Sequence, residues 1–394
     1  MGSVSRNCIA VLLFAAALLG VALAQTAGEQ RWCTTSTGET AFCRTLMAEF
    51  QANDPAGNTW SCVQKANAAG CATAIQNREV DYYIMSPGTL YTAIPTGVKV
   101  VAFEEYPVGA AAYYAVAIVR KEDCDRNPAL TVRDYRGKAS CHTGYGRTAG
   151  WNMPVGNLIS SGVIPAVNRD PTLKNDIESV TNFFGKTCAG GAEGSPRICT
   201  LCPGAACAGS NSSNYWDYEG VLYCVEKGGG DIGFTKHDVL GDYAAGQPKA
   251  KAWAERPVGN FRILCPNGGC TTFNDYARCN SVTVPSRAIV TYAEATPAAI
   301  ANLQTTIAAL NSDPEFVDAV YRGKNTQGYV FQSDAIRLVG YNGTAQAYMG
   351  KAYGAYQSMD AVEANTPLTA GAFSVQSNVA IVVASVVLAA VAMI

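Results

Sequence analysis

The sequence lacks any strong charge imbalance: its 29 Lys and Arg are set against 31 Asp and Glu, which gives a formal net charge of −2. Nothing in this balance indicates nucleic-acid binding, which needs a basic surface. There is no G-x-S-x-G motif, and neither of the two histidines lies in a recognisable nucleophile–base motif. A serine hydrolase is therefore disfavoured, and we expect a protein that is not an enzyme.

Cysteine, by contrast, is abundant, with 15 residues in the chain. Arg6 and the apolar run 9–24 have the layout of a cleaved secretory signal, so we expect residues 1–24 to be removed together with Cys8. An even set of 14 cysteines then remains, which is typical of extracellular disulfides. The sequons at Asn211 and Asn342 predict glycosylation and agree with a secreted or surface-exposed protein.

The stretch 366–394 predicts a spacer followed by a hydrophobic signal. Small residues around 370–372 and a mostly polar spacer precede the apolar run 379–394, which lacks a basic flank and is short for a membrane span. This order favours a GPI-anchor signal, and a retained membrane helix is the alternative. We expect the protein at the extracellular face of the plasma membrane, held by a lipid anchor, or secreted.

Short β-branched and aromatic runs alternate with helical stretches, which predicts an α/β fold. The predicted strands are 79–85, 99–103, 112–119 and 282–292, and the clearest helices are 41–53 and 297–310. The stretch 188–214, dense in Cys, Gly and Ser, is interpreted as a disulfide-linked surface excursion. No internal repeat is visible, so the chain holds one copy of its structural unit.

The segment Ser140 to Trp151, SCHTGYGRTAGW, contains the parts of an anion site. Two glycines permit a tight turn, and the apolar stretch that follows could begin a helix, whose N-terminal N–H groups favour anions. Thr143 adds a hydroxyl group and Arg147 a planar guanidinium that can bind an oxyanion in bidentate fashion. The segment is neither a Walker loop nor a GxGxxG motif. A Gly-rich turn with a solvated arginine is the alternative.

Taken together, these motifs give the chain a close resemblance to one lobe of a transferrin. The match begins with RWCTTSTGETAFC at Arg31 and continues through YYAVAIV at Tyr113 and the anion segment. It then includes YWDYEGVLYCVEKGGGDIGFTKH at Tyr215, VPSRAIV at Val284 and VFQSDAIRL at Val330. Each motif alone is a weak signal, but the order and spacing of the motifs together are specific for this family.

The resemblance implies a lobe of two α/β subdomains around a cleft, joined by two antiparallel hinge strands, as in periplasmic binding proteins. The lobe would cover residues 27–365. Its first subdomain would be 27–111 and 286–365, and the second 112–285. The hinge strands would lie near 112–119 and 283–292.

Six disulfides follow from the resemblance by position: Cys33–Cys71, Cys43–Cys62, Cys141–Cys224, Cys188–Cys202, Cys199–Cys207 and Cys265–Cys279. Cys124 and Cys270 are left over, and parity alone suggests a seventh bridge between them.

The family binds Fe³⁺ with two tyrosinates, an aspartate, a histidine and a synergistic carbonate. Tyr113 and Tyr218 match the two tyrosine ligands. The carbonate would bind to Thr143, Arg147 and the backbone N–H groups of Ala149 and Gly150. Ferric iron is a hard cation that prefers anionic oxygen, which suits tyrosinate and carbonate. The alternative is that both are packed core or hinge tyrosines, since the chain has 20 tyrosines.

The other two ligand positions are replaced, since Ser86 stands at the aspartate position and Arg287 at the histidine position. The site thereby gains roughly two positive charges relative to the family pattern. Arg287 has no lone pair for iron, but it could hold a second anion that completes the coordination. His142 and His237 match histidines that are not ligands in the family, and we interpret both as structural.

The family's acid-sensitive lysine pair is also incomplete, because Lys236 matches one member while Gln332 stands at the other. Release of iron would then depend on protonation of carbonate or tyrosinate, or on reduction of the metal. Whether the partner is an uptake receptor or a reductase is left open by the sequence. The leading hypothesis is a surface ferric-binding protein for iron uptake or transport. The alternative is a module for an anion, a small ligand or a protein that has lost tight iron binding.

Overall fold

The computed structural model describes residues 28–107, 112–191, 196–202, 207, 214–322, 330–332 and 335–364. The predicted signal sequence, the predicted anchor signal and Asn211 lie outside these residues. Within the described ranges, no helix combines the length and apolar character needed to cross a membrane.

The strands are β1 Glu29–Thr34, β2 Thr59–Gln64, β3 Tyr83–Met85, β4 Lys99–Glu105, β5 Ala112–Arg120, β6 Ala139–His142, β7 Lys186–Cys188, β8 Ile232–Lys236, β9 Phe261–Leu264, β10 Cys270–Thr271, β11 Val282–Pro285, β12 Ala288–Thr291 and β13 Arg337–Gly340. The α-helices are α1 Thr37–Ala52, α2 Ala68–Gln76, α3 Pro87–Ala93, α4 Lys121–Arg126, α5 Met153–Ser160, α6 Asn175–Phe183, α7 Asp217–Glu226, α8 Val239–Tyr243, α9 Pro297–Asn311, α10 Pro314–Val317, α11 Ala345–Met349 and α12 Lys351–Glu363. Short 3₁₀ turns lie at Ile94–Thr96, Val132–Tyr135, Pro196–Cys199, Val258–Asn260 and Phe273–Asp275, and π-helical turns at Thr148–Asn152 and Asp318–Arg322.

The described residues form two compact units, each of mixed α/β structure. The first unit contains the residues up to Met85 together with Pro95–Pro107 and Ala288–Asn342. The second contains Ser86–Ile94, the described part of Val108–Arg287, and the residues from Gly343 onward. Both units are therefore discontinuous in sequence.

The first unit contains a four-stranded sheet of order β13-β4-β12-β3 and a parallel β1–β2 pair. In the sheet the pairings are antiparallel. Helix α1 begins at Ser36, whose side chain accepts the N–H of Glu39. Its buried positions recur at helical spacing and pack into an aromatic core around Trp32 and Trp60.

The second unit contains a mixed sheet of order β10-β9-β5-β8-β6-β7, with β11 also paired to β5. Strand β6 runs parallel to β7 and β8, whereas β5 is antiparallel to β8, β9 and β11. Residues 115–119 of β5 are all apolar and buried, as expected of a central strand covered on both faces. The end of β6 leads into the loop with Thr143 and Arg147, and Tyr113 lies near the start of β5.

The predicted elements are found with shifted bounds. Helix α1 begins four residues before its predicted start, because the capping side chain at Ser36 fixes the first turn. The run predicted as one strand over 282–292 forms two strands, β11 and β12, which are separated by Ser286 and Arg287. Ser286 is buried there, and its hydroxyl lies 3.0 Å from the hydroxyl of Tyr348.

All six disulfides implied by the resemblance are present, and Cys124–Cys270 forms the seventh. This last disulfide joins α4 to β10 and connects two cysteines that are 146 residues apart in the sequence. Two of the bridges, Cys188–Cys202 and Cys199–Cys207, link described parts of the excursion at 188–214.

The segment 343–364 belongs by its contacts to the second unit, whereas the predicted division placed 286–365 in the first subdomain. The reason is the close packing of α12 on α5. A Cβ built on Gly156 of α5 would lie 2.4 Å from the backbone oxygen of Ala355 in α12, so the glycine permits this approach.

The end of α12 is attached to α6 by a pair of acidic side chains. The Glu363 side chain forms a hydrogen bond with the side chain of Asp176 and also accepts its backbone N–H. Burial raises the pKa of Glu363 to about 7, and the hydrogen bond and negative charge of Asp176 add to this rise, while Lys174 opposes it. Two hydrogen-bonded carboxyl groups are favourable together only when one of them carries a proton.

We predict that Glu363 makes folding stability pH-dependent near neutrality. Because its pKa in the folded protein lies above its ordinary value of 4.5, the folded state binds more protons than the unfolded state between these pH values. The free energy of unfolding should therefore fall as the pH rises through about 7. Glu363→Gln removes this dependence, so the melting temperature of the variant minus that of the wild type should be larger at pH 8 than at pH 5.5. Glu49→Gln, on the exposed face of α1, is the control, and parallel pH curves for wild type and Glu363→Gln would contradict the prediction.

Candidate metal and anion site

A loop at the end of β6 turns sharply on two glycines. Gly144 has φ of +143° and Gly146 has φ of +70°, which are left-handed conformations that favour glycine. A Cβ on Gly144 would lie 2.6 Å from the indole ring of Trp216, so this glycine also makes room for a neighbouring side chain. The two requirements explain the spacing of the glycines in the segment.

The loop leads into a helix whose first turn is π-helical, Thr148–Asn152, and which continues as α5. The backbone N–H groups of Trp151 and Asn152 donate to the carbonyl oxygen of Arg147. At the N-terminus of any helix, the first N–H groups have no acceptor within the helix, and the dipole there is positive. The N–H groups of Ala149 and Gly150 belong to this turn, in the position predicted for an anion site.

Thr143 and Gly150 form the inner wall of the loop. Thr143 is fully buried, and among the residues that the structure describes its hydroxyl oxygen has no hydrogen-bond partner. A Cβ on Gly150 would lie 2.1 Å from that hydroxyl oxygen and 2.7 Å from the Thr143 nitrogen, so only glycine fits. A buried hydroxyl without a partner costs free energy, and an oxyanion bound at the helix start would accept its hydrogen bond.

Arg147 lies on the outer side of the loop. Its guanidinium group lies over the ring of Tyr218, at 5.4 Å from the centroid, and over the ring of Trp216, at 5.2 Å. It also forms an ion pair with Asp217, with 2.7 Å between Nη2 and Oδ1. These contacts hold the arginine beside the helix start, which disfavours the alternative of a freely solvated side chain.

Tyr113 lies on β5, opposite Val284 of β11, and is half-buried. Burial raises the pKa of its phenol well above the ordinary value, and the nearby phenol of Tyr218 adds to the rise. Hydrogen bonding to the Thr148 side chain and the charge of Arg147 act in the opposite direction. The hydroxyl group of Tyr113 is therefore directed toward the first turn of the helix.

Tyr218 lies in the first turn of α7 and is also half-buried. Burial raises the pKa of its phenol, while the charges of Lys236 and Arg147 lower it and those of Asp217 and Asp238 raise it. The charge of Arg147 thus lowers the pKa of both phenols, while the charge of Tyr218 raises the pKa of Tyr113. The structure accordingly brings Tyr113, Tyr218 and Arg147 together at one place in the second unit.

This arrangement fits a ferric ion with an oxyanion. The donors are two phenols, which become anionic oxygen ligands on loss of a proton, and hard trivalent cations prefer such ligands. The Thr143 hydroxyl, which has no hydrogen-bond partner within the described ranges, and the close approach of Gly150 suit a small planar anion. Among the described residues, no group of three or more His, Cys, Asp or Glu side chains is arranged to hold a metal ion.

The residues at the two replaced ligand positions have structural surroundings of their own. Ser86 caps α3: its hydroxyl oxygen accepts the N–H of Thr89 at 3.3 Å and lies 3.0 Å from the Thr89 hydroxyl. Arg287 is half-buried between β11 and β12, next to the buried Ser286. Serine is among the preferred N-cap residues, so its presence at position 86 has a local explanation.

The two residues at the lysine-pair positions lie in different units. Lys236, at the end of β8, pairs with Asp238 at 2.8 Å, and its ammonium nitrogen lies 5.6 Å from the ring centroid of Tyr113. Gln332 belongs to the first unit, where its backbone N–H donates to the buried carboxylate of Glu104 at 2.8 Å.

Both histidines are buried within the second unit. The ring nitrogens of His142 lie 2.8 Å from the Gly150 carbonyl oxygen and 3.1 Å from the Ser140 hydroxyl. The ring of His237 packs on Tyr276, and the Tyr114 N–H donates to its Nδ1 at 3.4 Å. Burial lowers the pKa of each imidazole to about 4, so both are neutral at physiological pH.

Three contributors to the site were missed from the sequence. Asp217 pairs with Arg147, Tyr356 of α12 shares the Thr148 side chain with Tyr113, and Asp176 accepts the indole N–H of Trp151 at 2.8 Å. No motif marks Tyr356 or Asp176, because they come from helices distant in the sequence. The only available signal for Asp217 was an acidic residue directly before a predicted ligand.

Asn342, the second predicted glycosylation position, is exposed at the end of the first unit. Its side-chain oxygen accepts a hydrogen bond from the amide of Gln304 at 3.1 Å.

The chain is similar in sequence to one protein family and to several known proteins. The family model described as Transferrin covers residues 30–355. The chain is 34% identical to serotransferrin of Bos taurus over 288 residues, which are 71% of this chain and 38% of that protein. It is 31% identical to serotransferrin-1 of Salmo salar over 352 residues, 87% of this chain and 46% of that protein. It is 33% identical to ovotransferrin of Gallus gallus over 269 residues, 66% of this chain and 35% of that protein.

The chain thus spans less than half the length of these curated relatives. The family match nevertheless extends over most of the chain and includes the loop at the end of β6, both site tyrosines and all seven disulfides. The protein belongs to the transferrin family.

Proposed function

We propose that the protein binds ferric iron together with carbonate, without catalysing a reaction, for iron uptake or transport. Tyr113 and Tyr218 would be the protein ligands, and Thr143, Arg147 and the N–H groups of Ala149 and Gly150 would hold the carbonate. The observation that carries this proposal is the buried Thr143 hydroxyl beside a helix start, which has no hydrogen-bond partner in the described part of the chain, with both phenols nearby. Family membership supports iron as the cargo.

The raised pKa values of the two phenols define how such binding responds to pH. Each phenol is protonated at neutral pH and must lose its proton to bind the metal, so iron uptake releases protons. Acid therefore favours the protonated phenols and release of the metal. This dependence does not need a pair of lysines, which agrees with Gln332 at the second lysine position.

Arg287 and Ser86 would leave part of the coordination sphere to exogenous ligands. A guanidinium group cannot coordinate iron, but it binds planar anions well. The Ser86 hydroxyl already caps α3, so it is a weak candidate for a metal ligand. We propose that a second anion, such as another carbonate, completes the coordination with the help of Arg287.

We predict a visible absorption band from tyrosinate-to-iron charge transfer when the purified protein is titrated with a ferric chelate. The band should require bicarbonate, because the anion supplies ligand oxygens and offsets the charge of Arg147. Tyr113→Phe and Tyr218→Phe should each remove most of its intensity, since either change deletes one of the two phenolates. Absorption spectra with and without bicarbonate, from pH 8 down to pH 5, measure the band and its loss in acid.

Tyr276→Phe is a matched control, because Tyr276 is a tyrosine of the same unit that packs on His237. Its variant should keep the band. An intact band in both ligand variants would exclude these two residues as ligands.

We predict that Gly150→Ala disrupts the anion site. The new methyl group would clash with the Thr143 side chain and backbone, which should cost about 1–3 kcal/mol of stability and weaken bicarbonate-dependent iron binding at least tenfold. Gly259→Ala is the control, since a Cβ there meets nothing within 4 Å. Thermal unfolding and ferric titration of both variants test this, and unchanged bicarbonate dependence in Gly150→Ala would contradict it.

A second candidate function is a transferrin-like module that binds an anion, a small ligand or a protein without tight iron binding. The capping role of Ser86 and the cation at position 287 favour this alternative. It would be supported if the protein bound bicarbonate but produced no charge-transfer band.

For localisation, we propose attachment to the cell surface through a glycolipid anchor, on the basis of the small residues, polar spacer and apolar run in 366–394. Phosphatidylinositol-specific phospholipase C should then release the protein from intact cells into the medium. Immunoblotting of the medium and the cell fraction measures this release. Retention in the cell fraction, with release of a known anchored protein in the same sample, would favour a retained helix.

A further inference from the structure

Arg147 is in contact with an anionic group of the protein itself. The Asp217 carboxylate lies 2.7 Å from Nη2 of Arg147, and the two side chains are 40% and 30% exposed, respectively. Asp217 lies within the second tyrosine motif, YWDYEGVLYC, but the resemblance to the family gives it no role in the site. The guanidinium predicted to hold carbonate is therefore engaged by a carboxylate, which presents a similar planar pair of oxygens.

The backbone of Asp217 is held in an unusual conformation that positions this carboxylate. Its φ is +66°, and among the described residues only Arg78 shares a positive φ without being glycine. The Asp217 N–H donates to the carbonyl oxygen of Thr143 at 3.1 Å, and Oδ1 accepts the N–H of Tyr218 at 2.8 Å. The aspartate is thus tied both to the anion loop and to a proposed metal ligand, and its strain suggests a functional role.

We propose that Asp217 is an internal anion that competes with exogenous carbonate for Arg147. This inference rests on the proposed carbonate role of Arg147 and adds the group that regulates it. Bidentate binding of carbonate uses two of the five N–H groups of the guanidinium, and the Asp217 carboxylate pairs with Nη2. A carbonate held through the same N–H of Nη2 would have to displace the carboxylate, and one held elsewhere on the guanidinium would share its positive charge with Asp217.

The competition has a defined direction. Asp217 is negative and adjoins the place where carbonate and the Tyr218 phenolate would carry negative charge, so it opposes both. When carbonate leaves, the carboxylate compensates the charge of Arg147, which lowers the cost of the anion-free state. Asp217 therefore lowers carbonate affinity and favours reversible binding.

The test measures bicarbonate binding to the metal-free protein, by isothermal titration calorimetry and by ¹³C NMR of labelled bicarbonate at fixed pH. Asp217→Asn and Asp217→Gly both tolerate a positive φ and both remove the charge. We expect each to tighten bicarbonate binding by about two- to fivefold, the change that corresponds to the strength of a partly exposed ion pair. Asp125→Asn removes an exposed aspartate from its i,i+4 pair with Lys121 on α4 and should leave affinity unchanged.

The outcomes separate this inference from the proposed function. Arg147→Ala should abolish bicarbonate binding; if wild type and Arg147→Ala bind equally, the carbonate role of Arg147 is wrong. If wild type binds bicarbonate through Arg147 but Asp217→Asn and Asp217→Gly bind it with equal or lower affinity, competition is wrong, and lower affinity would mean that Asp217 orients Arg147. Circular dichroism and melting temperature confirm that each variant is folded.

Discussion

The close approach of Gly150 to Thr143 is the constraint on which the rest of the site depends. Because position 150 has no side chain, the first turn of the helix can lie against the end of β6, with the Thr143 hydroxyl beside the helix start. The same approach places the Gly150 carbonyl oxygen within reach of His142, whose neutral imidazole is buried behind the loop. Behind that turn, Asp176 accepts the indole N–H of Trp151, so the rigidity of the loop comes from buried polar contacts as well as from packing.

The sequence predicts some of these features well and others hardly at all. The glycines of the loop are predictable because a tight turn is a local conformation. The two tyrosines and six disulfide pairs follow from the resemblance to the family, and the seventh disulfide from the parity of the cysteines. The conformation of Asp217 follows from neither, since its φ of +66° depends on a hydrogen bond to Thr143, more than seventy residues earlier in the chain. The contact of Glu363 with Asp176 is likewise tertiary. The break between β11 and β12 was missed because strand-forming apolar residues resume directly after Ser286 and Arg287. The contact of Ser286 with Tyr348 comes from a helix distant in the sequence.

Position 86, one of the two replaced ligand positions, is subject to two competing requirements, the capping of α3 and the coordination of a metal. Serine at position 86 begins α3 well, because its hydroxyl oxygen satisfies an N–H of the first turn. A side chain engaged in this way would have to give up its cap to approach a metal, at a cost of about 1 kcal/mol. The local stability of α3 and metal coordination therefore compete for the same hydroxyl, and exogenous ligands avoid that competition.

Charge explains why iron and anion binding should be coupled in the proposed complex. Fe³⁺ with two tyrosinates formally retains one positive charge, and a carbonate dianion changes this to one negative charge, which Arg147 offsets. A second anion would add negative charge that Arg147 alone does not balance, and Arg287 supplies a further guanidinium in the same unit. Asp217 acts against this balance whenever carbonate is bound and restores it when carbonate leaves, because it neutralises Arg147 directly. The anion affinity of this site then depends on the difference between the free energies with which carbonate and the Asp217 carboxylate bind Arg147. Small changes at position 217 should therefore shift the affinity without altering the metal ligands.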